Sequence, residues 1–338
     1  MFKTEEGVTI LIPTYFKEIP NISRCLDSVF KQTHKNFKIL VLDENSPKEM
    51  VDILTDYKNR YPDKMDFKQT PLNVPARYNK FIKDVDTKLV YFLDADCVMR
   101  HDCLEKLMKI VKKHPEYKGY AGNVKNPQEP ESKLQELIGI ELESRYNTFT
   151  EEIIKAPTMN FLVKTDMVKK LKFNESLKVS YDADFSFRLN KECGKKIRYV
   201  KGAMIYHYHR ATWKRYFNQQ KTYATYAPIT YINTPKYFTG DSLSSGSILI
   251  QPLLFYVFVA GIILSCIFPE AVFLVIVSVS WLIYLYHKSI KKIKNIETLE
   301  SGDGFNIYLI HIVRTVALGV GLINGIINVV KYIFTKKL

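Results

Sequence analysis

Two acidic pairs are the residues of this chain best suited to chemistry: Asp94 with Asp96, and Asp182 with Asp184. The first pair closes the apolar run Leu89-Val-Tyr-Phe-Leu93. Carboxylates are rarely buried without a partner, and the carboxyl end of an apolar strand is where open α/β sheets bind ligands. On an extended segment, side chains at i and i+2 point the same way, so both would reach one ion. Hard oxygen ligands suit Mg2+ or Mn2+, and Mg2+ commonly takes one or two carboxylates plus substrate phosphates. The competing reading is a strand end and a capped turn, for which Asp is also well suited. Asp182 and Asp184 open Tyr181-Asp-Ala-Asp-Phe-Ser-Phe-Arg-Leu189, which reads as the start of a helix. The helix dipole favours acids there, so capping competes with a catalytic role. His207 and His209 supply imidazoles either for ligation or for structural and interfacial contacts.

The elements that must position these residues follow from hydrophobic periodicity. Val8–Ile12, Phe37–Leu42 and Met65–Gln69 read as strands, and the run from Leu89 as the central one. Between them, a helix capped by Asn21 runs to Phe30, and others span Lys48–Tyr61 and Val74–Val85. This alternation predicts a mostly parallel sheet with helices on both faces, its chemistry collected at the strand ends. Those ends are Pro13-Thr-Tyr15, Asp43-Glu-Asn45 and Asp94-Ala-Asp96. Further on, helices are expected at 104–113, 131–149, 166–171 and from 181, with strands at 119–125, 160–163 and 197–200.

Composition changes at about residue 245. The formal charge of +14 would point to nucleic acid in a soluble protein. Here the apolar C-terminal third points instead to a membrane surface, where basic residues meet anionic lipid, and no nucleic-acid partner is expected. Residues 211–238 mix Trp213, Tyr216, Phe217, Tyr223, Tyr226, Tyr231, Tyr237 and Phe238 with Lys and Arg, which suits the bilayer interface. Ser247–Phe268 is long enough to span, and Ala271–Tyr286 is a second, slightly short apolar run. The basic stretch His287–Lys294 after it should face the cytoplasm. The last apolar region, 305–334, holds His311 and Arg314, and reads as a third span from about 315, an interfacial helix or a re-entrant segment. The five cysteines are scattered without metal-type spacing, as reduced thiols in a cytoplasmic domain would be. Met1–Gly7 has no apolar core, so no signal peptide is expected.

Taken in order, these pieces resemble glycosyltransferase family 2, the inverting nucleotide-sugar transferases with an A-type fold. The resemblance runs from about Val8 to Tyr226 and rests on Ile12-Pro-Thr-Tyr15, Cys25-Leu-Asp-Ser-Val-Phe-Lys-Gln-Thr33, Val41-Leu-Asp-Glu-Asn-Ser46, Asn73-Val-Pro-Ala-Arg-Tyr-Asn79, Phe92-Leu-Asp-Ala-Asp96 and Tyr181–Leu189. It implies that Tyr15 stacks on the base, with Pro13 and Thr14 shaping the pocket. Asp43 or Glu44 would bond the base or ribose, Arg77 the diphosphate, and Asp94 the ribose or donor. Asp96 would hold Mn2+ or Mg2+, with His207 or His209 near the metal or diphosphate, and Asp182 would be the general base. A solvated Arg77 and a Tyr15 that merely packs the strand end are the competing readings. The sequence departs from the family pattern at Tyr181, where Glu is usual, and at Glu44, where Asp is commoner. It also lacks the Gln-x-x-Arg-Trp signature of processive synthases, Gln219-Gln-Lys-Thr-Tyr223 being its nearest counterpart, which favours a single transfer.

The resulting expectation is a cytoplasmic glycosyltransferase domain (1–210), interfacial aromatic and basic helices (211–245), and a membrane region of two or three helices (246–338). The activity expected is transfer of one sugar from a UDP- or GDP-sugar to a lipid-linked acceptor, a polyprenyl phosphate or lipid-linked glycan, at the cell membrane. The alternative is a catalytically silent membrane scaffold that retains the fold.

Overall fold

The computed structural model describes residues 7–233, 246–294 and 299–336. Residues 1–6, most of the segment read as lacking a signal peptide, lie outside the described residues, as do 234–245, with Tyr237 and Phe238, and 337–338. The chain forms two compact units, Met1–Gln128 with Phe149–Tyr208, and Glu129–Thr148 with His209–Leu338.

The first unit begins with β1 (Val8–Thr14), β2 (Phe37–Asp43), β3 (Met65–Gln69) and β4 (Leu89–Phe92), joined by α1 (Ile19–Phe30), α2 (Lys48–Arg60) and α3 (Val74–Phe81). These strands are parallel in the order β3-β2-β1-β4. Parallel strands are covered on both faces and read as continuous apolar runs, and β1 is buried at every position. The chain steps outward from β1 to β3, then returns to pair β4 on the other side of β1. The loops after β1 and β4 therefore part at a reversal of strand order, the point where open α/β sheets bind ligands. Helix α1 starts two residues before the expected cap, because the short helical turn Phe16–Glu18 runs into it and Pro20 is tolerated in a first turn. Asn21 lies inside the helix and donates to Glu18 Oε2 at 3.0 Å.

Beyond β4 come β5 (Cys97–Met99), α4 (Cys103–Lys113), β6 (Gly119–Lys125), α5 (Lys133–Tyr146, in the second unit), β7 (Glu152–Ile153), β8 (Phe161–Lys164), α6 (Thr165–Leu171), α7 (Tyr181–Cys193) and β9 (Ile197–His207). The sheet continues β4-β8-β6-β9-β5, with β8 antiparallel to β4 and β6, and β9 parallel to β6 but antiparallel to β5 and β7. The strand expected at 197–200 thus runs on to His207, past a register shift against β6 between Gly122 and Asn123.

That shift leaves buried carbonyls which Asn160 satisfies. Its Nδ2 donates to Asn123 O (2.9 Å) and Ala203 O (3.2 Å), and its Oδ1 accepts from Tyr91 Oη (2.7 Å). Gly122 is required beside it, since a Cβ there would stand 2.2 Å from Asn160 Nδ2 and 2.5 Å from Ala203 O.

The second unit comprises α5, α8 (Trp213–Asn233), α9 (Gly246–Ser265), α10 (Val272–Lys294) and α11 (Asp303–Lys336). Helix α11 approaches its neighbours through glycines. A Cβ on Gly321 would meet Lys221 O and one on Gly325 Ala224 O, both in α8, while Gly319 faces Phe255 of α9. Leu134, Leu137 and Ile138 of α5 pack with Tyr216, Ile290, Ile293, Ile307 and Ile310. Beside this cluster the buried Glu141 carboxylate accepts from Arg314 Nη1 at 2.8 and 2.9 Å and from Arg145 Nη2 at 2.7 Å. Arg314 also contacts His311.

Helices α9, α10 and α11 are each long and apolar enough to cross a membrane. Few residues of the windows in α9 and α10 are buried, whereas half of that in α11 is. The last apolar region is one uninterrupted helix of 34 residues. At about 1.5 Å per residue it exceeds a hydrocarbon core of about 30 Å. Its first half carries the buried Ile307, Ile310, His311 and Arg314, and its second half exposes Ile323, Ile326, Ile327 and Val330.

Two predictions follow from these buried polar groups. Asn160→Ala should cost about 2 kcal/mol by leaving two carbonyls without their donor, a fall of roughly 4–8 °C in thermal midpoint; an unchanged midpoint would contradict the role given to Asn160. Glu141→Gln should destabilise by about 3–5 kcal/mol because it leaves Arg314 charged and unpaired. Glu141→Leu combined with Arg314→Met should recover most of that loss in the same melting measurement.

Candidate active site

The acidic pair after β4 does not lie on an extended strand. β4 ends at Phe92, and the Cys97 N–H donates to Asp94 O at 3.1 Å, closing a turn that leads into β5. The two side chains are therefore aimed by turn geometry. Helix α1 supports the turn with buried polar groups. Cys25 Sγ lies 3.6 Å from Asp94 O, Ser28 Oγ accepts from Met99 N (2.9 Å), and Gln32 Nε2 donates to Arg100 O (2.8 Å). Gln32 Oε1 also accepts from Leu104 N at 3.0 Å, starting α4. The Cys25–Thr33 segment thus acts as the mount for Asp94 and Asp96.

The β5–β9 register sets Cys97 opposite His207. It brings His207 Nε2 to 3.5 Å from Asp96 Oδ1, while Cys97 Sγ stands 3.8 Å from the same oxygen. Ligand atoms of Asp96, Cys97 and His207 lie within 4.8 Å of one another, close enough to hold one metal ion. His209 is not in that group; it belongs to the second unit, where its carbonyl accepts from Gln135 Nε2.

Burial pushes the Asp94 carboxyl up to about 7, helped by the carboxylates of Asp96, Asp182 and Glu18 and opposed by His207. Four acids thus gather at the reversal point with one imidazole beside them. A hard divalent cation fits this donor set, since its charge would offset the burial and the acid–acid repulsion that raise the Asp94 carboxyl. Asp182 sits in the first turn of α7, accepting from Ala183 N at 2.8 Å. The residue before the helix, Ser180, adopts φ 62°, a left-handed conformation that costs a non-glycine residue energy and is often found at functional sites. Asp184, by contrast, is buried in an ion pair with Arg188 at 2.7 Å and serves the helix.

At the ends of β1 and β2, Pro13 and Thr14 are buried and Tyr15 is half-buried beside the exposed Phe16. Asp43 is buried, accepting from Ser46 N (2.8 Å), Ser46 Oγ (2.6 Å) and Gln69 Nε2 (2.8 Å), so its carboxylate shapes the turn through Asn45 at φ 57°. Glu44 is the exposed acid of this pair. Arg77 is fully buried: Nη1 donates to Thr14 O at 2.7 Å and to Leu42 O, and Nη2 reaches Glu44 Oε2 at 3.3 Å. It ties the carboxyl ends of β1 and β2 together from beneath, and burial lowers its pKa.

Sequence reasoning missed Glu18 and Cys97. Glu18 reads as a surface acid in Phe16-Lys-Glu18, and Cys97 as one scattered thiol among five. The one available signal was that Cys97 directly follows Asp96.

The sequence profile described as Glycosyl transferase family 2 matches residues 9–174. An uncharacterised glycosyltransferase of Methanocaldococcus jannaschii is 28% identical over 193 residues, 54% of this chain and 63% of that protein. The succinoglycan biosynthesis protein ExoW of Rhizobium meliloti is 34% identical over 100 residues, 29% of this chain and 31% of its own length. The chain thus spans less than two thirds of these curated relatives. Among solved structures, the mannosyltransferase PcManGT of Pyrobaculum calidifontis, in complex with GDP-Man and Mn2+, shares the fold at a TM-score of 0.59 and 12% identity, over 95% of this chain and 89% of that one.

The raised Asp94 pKa makes stability depend on pH with a definite sign. At this carboxyl the folded protein holds a proton that the unfolded chain, at 3.8, releases, so the contribution of Asp94 to metal-free stability is greatest below 3.8 and is lost as pH rises toward about 7. Melting of metal-free protein across that window should show Asp94→Asn gaining stability relative to the unmutated chain as pH rises. Stabilisation by Mn2+ should increase over the same interval; a Mn2+ effect that is constant from pH 5 to about 7.5 would contradict the assignment.

Proposed function

Residues 9–174 form a glycosyltransferase family 2 domain, and from that premise we propose that the protein transfers one sugar, with inversion, from a nucleotide-sugar to a lipid-linked acceptor at a membrane. The observation that carries this reading is the gathering of Asp94, Asp96, Asp182 and Glu18 at the strand-order reversal, with His207 beside Asp96. Asp96 and His207 would hold Mn2+ or Mg2+, which would supply neutralisation of the charge developing on a departing nucleoside diphosphate. The P. calidifontis mannosyltransferase carries a GDP-sugar and Mn2+ on the same fold, which is consistent with that donor chemistry.

The chain's own residues divide the remaining work. Tyr15 stacks on the base, with Pro13 and Thr14 forming the pocket wall. Glu44, the exposed acid, accepts from the base or ribose, while Asp43 holds the turn that presents it. Arg77 is a positioning residue that fixes Thr14 and Glu44 relative to one another. Asp94 accepts from the donor once the nearby charge is balanced. For a hydroxyl acceptor, Asp182 takes the proton as the oxygen bonds to the anomeric carbon. The bond from that carbon to the diphosphate breaks on the opposite face, and configuration inverts. A phosphate acceptor needs no proton removed. The acceptor is argued to be lipid-linked because three helices of the same chain are long and apolar enough to cross a membrane. The basic end of α10, residues 288–294, supports a cytoplasmic catalytic domain under the positive-inside rule.

The test is transfer of labelled sugar from UDP- and GDP-sugars to polyprenyl phosphate and to lipid-linked glycans, using full-length protein in detergent. Asp182→Asn should retain metal-dependent donor binding and lose about 10²–10⁴-fold in transfer to a hydroxyl acceptor. Undiminished transfer would remove Asp182 from the role of base. Donor binding without transfer to any lipid acceptor would contradict the proposed acceptor class, and no nucleotide binding by folded protein would bring forward the silent scaffold.

A further inference from the structure

The third member of the ligand group, Cys97, is used by nothing in the mechanism above. It is buried, precedes Val98 on β5, and lies directly across the strand pair from His207. Tetrahedral zinc, with bonds of about 2.0–2.3 Å to N, O and S, separates its N and O ligands by about 3.4 Å and its S and O ligands by about 3.6 Å. The separations here are 3.5 Å from His207 Nε2 to Asp96 Oδ1 and 3.8 Å from Cys97 Sγ to the same oxygen. Three protein ligands with a position left open is the arrangement of catalytic rather than structural zinc sites.

We propose that Cys97 is a metal ligand that gives this centre a second occupancy, in which Zn2+ or another thiophilic divalent ion binds Asp96, His207 and the Cys97 thiolate in place of Mn2+ or Mg2+. The inference rests on the glycosyltransferase reading of the same centre and adds its ion selectivity. Hard ions engage Asp96 and His207 and leave the sulfur as a thiol, because oxygen-preferring cations gain little from it. A thiophilic ion displaces the Cys97 proton to solvent and forms the metal–sulfur bond. Zn2+ outranks Mn2+ on any N/O donor set, so the distinguishing mark of the proposal is the sulfur bond, not affinity order alone.

Co2+ is the spectroscopic probe. Full-length protein titrated with Co2+ should develop a sulfur-to-metal charge-transfer band in the near ultraviolet, saturating at one equivalent. Excess Mn2+ or the Asp96→Asn change should abolish it, which separates Cys97 from the other four cysteines without relying on a cysteine variant. Cys97→Ser should lose the band and bind Zn2+ about tenfold or more weakly, while its affinity for Mn2+ changes by less than about threefold. Zn2+ should also compete with Mn2+-dependent UDP or GDP binding far less effectively in Cys97→Ser than in the unmutated chain. Co2+ binding that depends on Asp96 but shows no thiolate band would overturn the inference while leaving the Mn2+ site and donor reading standing. Failure of unmutated, folded protein to bind Mn2+ or nucleotide would instead take down the donor reading on which it rests.

Discussion

The constraint on which the structure depends is the mutual repulsion of carboxylates held together at the point where the sheet reverses its order. Asp94, Asp96, Asp182 and Glu18 come from three separate segments, and burial, reinforced by the neighbouring acids, raises Asp94 to about 7. A fold does not assemble such a cluster cheaply, because each acid loses water and gains a like-charged neighbour. It is sustained by rigid attachment: Cys25 and Ser28 of α1, with Gln32 just after it, support the chain from Asp94 to Arg100, and β9 delivers His207 in register with Cys97. On the proposed reading, a bound cation would relieve that repulsion, so the destabilising feature of the metal-free fold would be the basis of its chemistry.

Elsewhere the protein handles buried polarity by closing it off. Asn160 satisfies carbonyls on β6 and β9 at their register shift, Arg77 does so at the ends of β1 and β2, and Glu141 is enclosed by Arg314 and Arg145. These groups are paired within the chain. The acid cluster differs because its charges share a sign, which is why a ligand is expected there and not at the other three places.

Much of the first unit was legible in the sequence because β1, β2 and β4 are mostly apolar runs separated by amphipathic helices, and the alternating Met65–Gln69 has the same ends in both readings. What escaped was set by distance or brevity. The turn at Asp94-Ala-Asp96 reads as a continued strand because hydrophobic pattern carries no signal for a two-strand corner as short as β5. Arg77 reads as a surface or ligand-facing cation, since arginine is seldom fully buried, and only the adjacent carbonyl ends of β1 and β2 explain why it is. Asp43 and Glu44 are indistinguishable in sequence, whereas Ser46 and Gln69 occupy the first and leave the second exposed. The partner of Arg314 lies 173 positions away in α5, beyond any local pattern.

The account stands most directly on one measurement: thermal stabilisation of the full-length protein by UDP-, GDP- and CMP-sugars, with and without Mn2+, repeated on Asp96→Ala. A shift with one nucleotide that requires Mn2+ and vanishes in the variant is the predicted result, and it would also identify the base. If folded, unmutated protein shows no Mn2+-dependent shift with any of them, the acid cluster is not a donor site and the account is wrong at its centre.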